Sequence, residues 1–144
     1  MNKIAAGLAI AGILLFAGCA TELNFSEVRK SLPAVPAHKG RIFVYRPSLD
    51  GAATPTDVKL NGSVIGAAFA GGAFYIDRLA GNYTAETTSE ATRPLSFTLS
   101  PGQTRYVRID AAMGYLIVRL YPELVDPKTA EGELTGCNLI SGSP

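Results

Sequence analysis

The chain has 144 residues, with 13 basic and 12 acidic side chains and a formal net charge of +1. That balance, without a basic patch or run, argues against a nucleic-acid partner, and 47% hydrophobic residues exclude a disordered chain. One histidine and two cysteines are too few for a typical zinc site, and no cofactor is expected.

Met1-Asn2-Lys3 is a short positive start, followed by apolar residues and glycine without interruption from Ile4 to Phe16. A run of 13 residues fits the roughly 7–15 of a signal core and falls short of the ~20 that span a bilayer. Small residues, Ala17 and Gly18, then precede Cys19. Residues 1–18 are expected to be a cleaved leader, leaving about 126 residues, enough for one domain. The leader holds one lysine and no acid, so the remainder is charge-balanced.

Leu15-Phe16-Ala17-Gly18-Cys19 resembles the lipobox of bacterial lipoproteins, with Phe16 bulkier than that pattern usually carries. The resemblance implies a diacylglycerol on the Cys19 sulfur, cleavage just before it, and acylation of the new amino group. By further resemblance to enterobacterial lipoproteins, Ala20 in place of an aspartate implies the outer membrane, with the domain facing the periplasm. The alternative is an ordinary signal peptide, with Cys19 free to pair with Cys137. If Cys19 carries lipid, Cys137 is a lone thiol and reads as a small buried hydrophobe.

Residues 19–39 are expected to form a lipid-anchored tether. Pro33 and Pro36 interrupt it and no strand pattern is sustained. A wholly flexible segment of about 20 residues would span roughly 25 Å. Within it, Phe25, Val28 and Leu32 have helical spacing, which predicts one or two turns over 24–32 that Pro33 stops. His38, the single histidine, is expected to be solvated there.

Residues 40–144 read as strands. Arg41 to Arg46 is β-branched and aromatic, ends at Pro47, and has the apolar run of a central strand covered on both faces. Asn61-Gly62 joins Asp57–Leu60 to Ser63–Gly66 as a hairpin, because a type I′ turn needs positive φ at both central residues. Ala73–Leu79 puts Phe74 and Ile76 on one face and Tyr75 and Asp77 on the other. Tyr83–Thr88 alternates after Gly81-Asn82, and Pro94–Ser100 points Leu95, Phe97 and Leu99 one way. Pro101-Gly102 turns into Arg105–Asp110, with Val107 and Ile109 toward a core. After Gly114, Tyr115–Tyr121 is expected to bury Leu116, Val118 and Leu120. Asp126-Pro127 caps a short helix that ends near Gly136, with Leu134 and Cys137 closing one end of the fold. Period-two alternation and short connections predict an all-β fold. The expectation is an antiparallel β-sandwich of about eight strands with a short C-terminal helix, each strand having one wet and one dry face.

Several blocks resemble a bacterial lipoprotein family known only as domain of unknown function twenty-eight forty-six. They are Gly40–Pro47, Val58–Gly66, Leu79–Tyr83, Pro101–Val107 and Glu133–Cys137. The middle also resembles the PEGA domain, a small surface β-module. The resemblance implies an exported β-sandwich and supplies no activity and no catalytic residues.

No catalytic constellation is evident. Gly62–Gly66 contains a serine but lacks the nucleophile-elbow spacing, and Gly71-Gly72 has no following helix to cradle phosphate. Asp77, Glu86 and Asp110 are the carboxylates that could meet. The candidate binding face is Arg46, Tyr106, Arg108, Tyr115, Arg119 and Tyr121, because tyrosine and arginine combine contact area with hydrogen bonding. The bland reading of the same residues is a solvated sheet face whose cross-strand pairs support the sheet. The expected function is a non-catalytic binding or structural module of the cell envelope. It would be held at the membrane by lipid on Cys19 and face another envelope protein or cell-wall glycan. An envelope-acting hydrolase with an inconspicuous site is the alternative.

Overall fold

The computed structural model describes residues 23–47, 54–88, 93–113 and 118–140. The leader, Cys19, Gly114, Tyr115 and Leu116 lie outside the described residues.

The first described elements are β1 (Leu23–Asn24), α1 (Phe25–Val28) and a 3-10 turn (Arg29–Ser31). β2 (Lys39–Arg46), β3 (Thr56–Leu60), β4 (Ser63–Ala68) and β5 (Gly72–Leu79) follow. Next come β6 (Gly81–Thr87), β7 (Leu95–Leu99), β8 (Thr104–Met113) and β9 (Val118–Val125). α2 (Pro127–Leu134) and β10 (Asn138–Leu139) complete it. Two sheets face each other, one ordered β1-β10-β5-β2-β8-β9 and the other β4-β3-β6-β7. The all-β sandwich therefore stands, with eight longer strands, two short ones and a helix near the C-terminus among the described residues.

Alternation builds the core between the sheets. Ile42, Val44, Phe74, Ile76, Val107 and Ile109 from the larger sheet meet Val58, Leu60, Ala85, Phe97 and Leu99 from the smaller. Each of these valine, leucine, isoleucine and phenylalanine side chains contributes about 1.5–3 kcal/mol on burial. Asn61 (φ 49°) and Gly62 (φ 82°) form the expected left-handed hairpin turn. The Asn61 Oδ1 accepts the Thr84 N–H at 2.8 Å, which ties that turn to β6.

Three expectations need correction. Pairing is not wholly antiparallel, because β2 runs parallel to β8, with Phe43 opposite Tyr106. The chain between them crosses to the smaller sheet and back, which gives the length a parallel connection needs. β2 is covered on both faces, as its apolar run implies: of Lys39–Arg46 only Lys39 is not buried. Its outer side chains, Phe43 and Tyr45, lie under Phe25, Ala130, Leu134 and Cys137. Second, α2 thereby covers an outer sheet face and does not close an end. Third, β9 continues through Pro122 to Val125. It is an edge strand, where a residue without an N–H is tolerated.

The tether also shortens. The expected helical turns are present, but they are docked. β1 pairs with β10, Leu23 opposite Leu139, and the Phe25 N–H donates to the Cys137 carbonyl at 3.0 Å. Phe25 is 2% exposed and meets Phe43 edge-on at 5.4 Å. Its burial supplies what the sequence window around it could not reveal, a partner far along the chain. His38 is exposed, as expected, with φ 63°. α2 starts as the sequence implied, with the Asp126 Oδ1 accepting the Thr129 N–H at 3.0 Å.

Two glycine substitutions separate close approach from helix propensity. A Cβ on Gly40 would lie 2.6 Å from Leu99 and 2.8 Å from the Gln103 carbonyl oxygen, which is backbone and cannot swing aside. Gly40→Ala is expected to lose about 1–3 kcal/mol in chemical denaturation. A Cβ on Gly132 in α2 meets nothing within 4 Å. Gly132→Ala is expected to gain about 0.4–1 kcal/mol, because alanine suits a helix better.

Candidate functional site

The outer face of the larger sheet carries the chemistry that drew attention in the sequence. Odd-numbered residues of β2 and β5 and even-numbered residues of β8 point there, so Arg41, Tyr75, Asp77, Tyr106, Arg108 and Asp110 share one side. Tyr121 and Glu123 join from β9, opposite Asp110 and Arg108.

α2 lays two carboxylates on this face. Glu133 accepts the Tyr45 hydroxyl at 2.6 Å and Arg108 Nη1 at 2.7 Å. Arg108 also holds Glu123 and Asp110, each at 3.1 Å. Burial alone would lower the proton affinity of the Arg108 guanidinium, but Glu123, Asp110 and Glu133 outweigh it and raise it. Glu131 accepts the Tyr106 hydroxyl at 3.2 Å and pairs with Arg29 at 2.8 Å. Nearer the other edge, Arg41 grips Asp77 through two bonds of 2.8 and 2.9 Å and lies 4.3 Å from the Tyr75 ring centre. The bond to Asp77 raises the proton affinity of Arg41 against the opposing effect of burial.

The candidate binding residues are therefore split. Arg46 is fully buried, and by alternation it faces the inner side. Its Nη1 donates to the Thr54 carbonyl at 2.9 Å and, more loosely, to that of Ala68 at 3.4 Å, which clips β2 to the end of β4. Tyr106 is on the expected face but only 7% exposed, stacked on Phe43 at 5.6 Å beneath the α2 layer. Arg108 is half-buried in its carboxylate cage. Arg119 remains exposed and Tyr121 half-buried, with the Arg93 guanidinium 5.0 Å from its ring centre. Tyr115 lies outside the described residues. Tyrosine and arginine on this face mostly join the covering layer to the sheet.

The carboxylates considered as a pair do not meet. Asp77 is held by Arg41 and Asp110 by Arg108, while Glu86 stands opposite Lys59 on the smaller sheet. Among the described residues no group of three or more His, Cys, Asp or Glu side chains could hold a metal ion. Cys137 is a buried free thiol, 1% exposed. Burial, with a smaller contribution from Glu133, pushes its pKa up from 9.0 to about 11, so it is a poor nucleophile at neutral pH. The Tyr45 hydroxyl is raised as well, by burial and then by its bond to Glu133.

The fold holds these acids in their protonated forms, so their contribution to stability is complete below the unfolded-state pKa and is lost as pH rises through the folded one. Stability should fall between pH 9 and 11, with Cys137 contributing across that window. Cys137→Ala should flatten the decline in denaturation midpoints measured over it. Native-state alkylation of Cys137 should stay slow until the chain unfolds.

The covering layer is built from both ends of the chain, while β2 to β8 and the smaller sheet lie between them. No curated protein matches the chain. No solved structure matches it either. A family model described as "Protein of unknown function (DUF2846)" matches residues 36–120, more than half of the chain, and the chain belongs to that family.

Proposed function

We propose that this chain is an exported lipoprotein whose residues 1–18 are removed and whose Cys19 carries the lipid. The sandwich then serves as a non-catalytic binding or structural module on the periplasmic side of an envelope membrane. The single observation that carries the reading is the lipobox-like Leu15–Cys19 at the end of a 13-residue apolar run. The position of Leu23 supports it: four residues after Cys19 the chain is already paired in the larger sheet. Ala20, where aspartate would favour the inner membrane, favours the outer one.

The non-catalytic part rests on how the reactive groups are engaged. Arg108 holds Asp110, Glu123 and Glu133, and Arg41 holds Asp77. The Cys137 thiol is buried. A partner, whether an envelope protein or cell-wall glycan, would meet Arg119 and Tyr121 at the β9 edge, with Arg93 beside them.

Intact mass of the membrane-extracted protein, wild type beside Cys19→Ala, tests the anchor. The expected result is loss of residues 1–18 with an acyl-sized mass gain, both absent in the variant. A wild-type chain without acyl mass would overturn it.

A further inference from the structure

The larger sheet overhangs the smaller one at one edge. β10 and β1 extend it beyond β5, whereas the smaller sheet ends at β4. Leu139 packs into the outer layer, so its neighbours Asn138 and Ile140 turn to the inner side. There they line a cavity of about 340 Å³ with Phe69, Ala70, Gly71 and Gly72. Ile140 forms its floor by lying over Gly72, where a Cβ would come within 2.5 Å of Ile140 Cδ1. The rim is the β4–β5 turn, held by Gly71 N–H to the Arg46 carbonyl at 2.8 Å. Phe69 sits on that turn, 45% exposed, and Ala70 beside it is exposed too.

Phe69 on the lip of this recess offers an exposed aromatic ring, next to Ala70 and above Ile140, to an apolar neighbour. Position says what. β1 is the outermost strand of this overhang, and Leu23 within it is four residues from Cys19. Those residues reach at most ~14 Å, at roughly 3.3–3.6 Å each. A membrane holding Cys19 is therefore held beside this edge, and the turn meets it at the high effective concentration of an intramolecular contact.

We infer that the Phe69–Ala70 turn and the recess beneath β10 form a membrane-docking surface, with Phe69 seated among the acyl chains of the leaflet that holds Cys19. This rests on the lipid anchor proposed above. Docking fixes the orientation of the domain: the β10 edge faces lipid, and the β9 edge with Arg119 and Tyr121 faces away.

The chain contains no tryptophan, so Phe69→Trp introduces a single reporter. Leu124→Trp, at an exposed position on β9, is the distant control. Each acylated full chain is placed in vesicles of phosphatidylethanolamine and phosphatidylglycerol with brominated acyl chains, and its mass is recorded. The expected result is blue-shifted emission at position 69, quenched several-fold more than at position 124. Ala70→Trp gives the same reading should Phe69→Trp misfold. Acylated protein with equal quenching at both edges overturns the docking surface and leaves the anchor standing. Chains that carry no acyl mass overturn both.

Discussion

Strand β2 is buried on both faces, and that constraint organises the rest of the molecule. Ile42 and Val44 face the smaller sheet, which satisfies one side. Phe43 and Tyr45 project from the other side and would stand in water without a second layer. The chain supplies that layer from its two ends. Phe25 comes from the N-terminal side and Ala130, Leu134 and Cys137 from the C-terminal side. β1 and β10 pair to hold the two ends together. The result is three layers, helical segments on a larger sheet on a smaller one.

The outer layer is joined by polar seams as well as by apolar contact. A buried hydroxyl or carboxylate without a partner costs on the order of 1–3 kcal/mol, so each is matched. Tyr45 and Arg108 converge on Glu133, and Tyr106 and Arg29 on Glu131. These bonds set how α2 lies on the sheet, because the two glutamates are two residues apart on one short helix. The same residues that suggest an interface by composition are the internal interface between the layers.

That explains what was legible in the sequence. Strand periodicity and turn residues located most of the strands and the inward side chains, because both signals are local. Asn61-Gly62 and Asp126-Pro127 behave as their chemistry requires. Three features depended on distant partners. The parallel pairing of β2 with β8 leaves no local pattern. Phe25 sits in a short segment that Pro33 ends, and nothing nearby indicates the pocket that receives it. Arg46 and Tyr106 carry polar atoms and look exposed, but carbonyls of Thr54 and Ala68 and the carboxylate of Glu131 allow their burial. Of the candidate binding residues, Tyr106, Arg108, Arg119 and Tyr121 lie on the outer strand faces of β8 and β9, with Tyr106 buried there, whereas Arg46 is buried on the inner side.

With β1 and α1 part of the fold, the body of the protein begins four residues after Cys19 and not at the end of a long tether. The central claim is that the N-terminal segment is a docked element of the fold. Hydrogen exchange at the Phe25 amide, which donates to the Cys137 carbonyl, tests it most directly. Protection comparable to that of the Ile140 amide, which donates to Ala73, is the predicted result. Exchange at the rate of an unstructured peptide would contradict it.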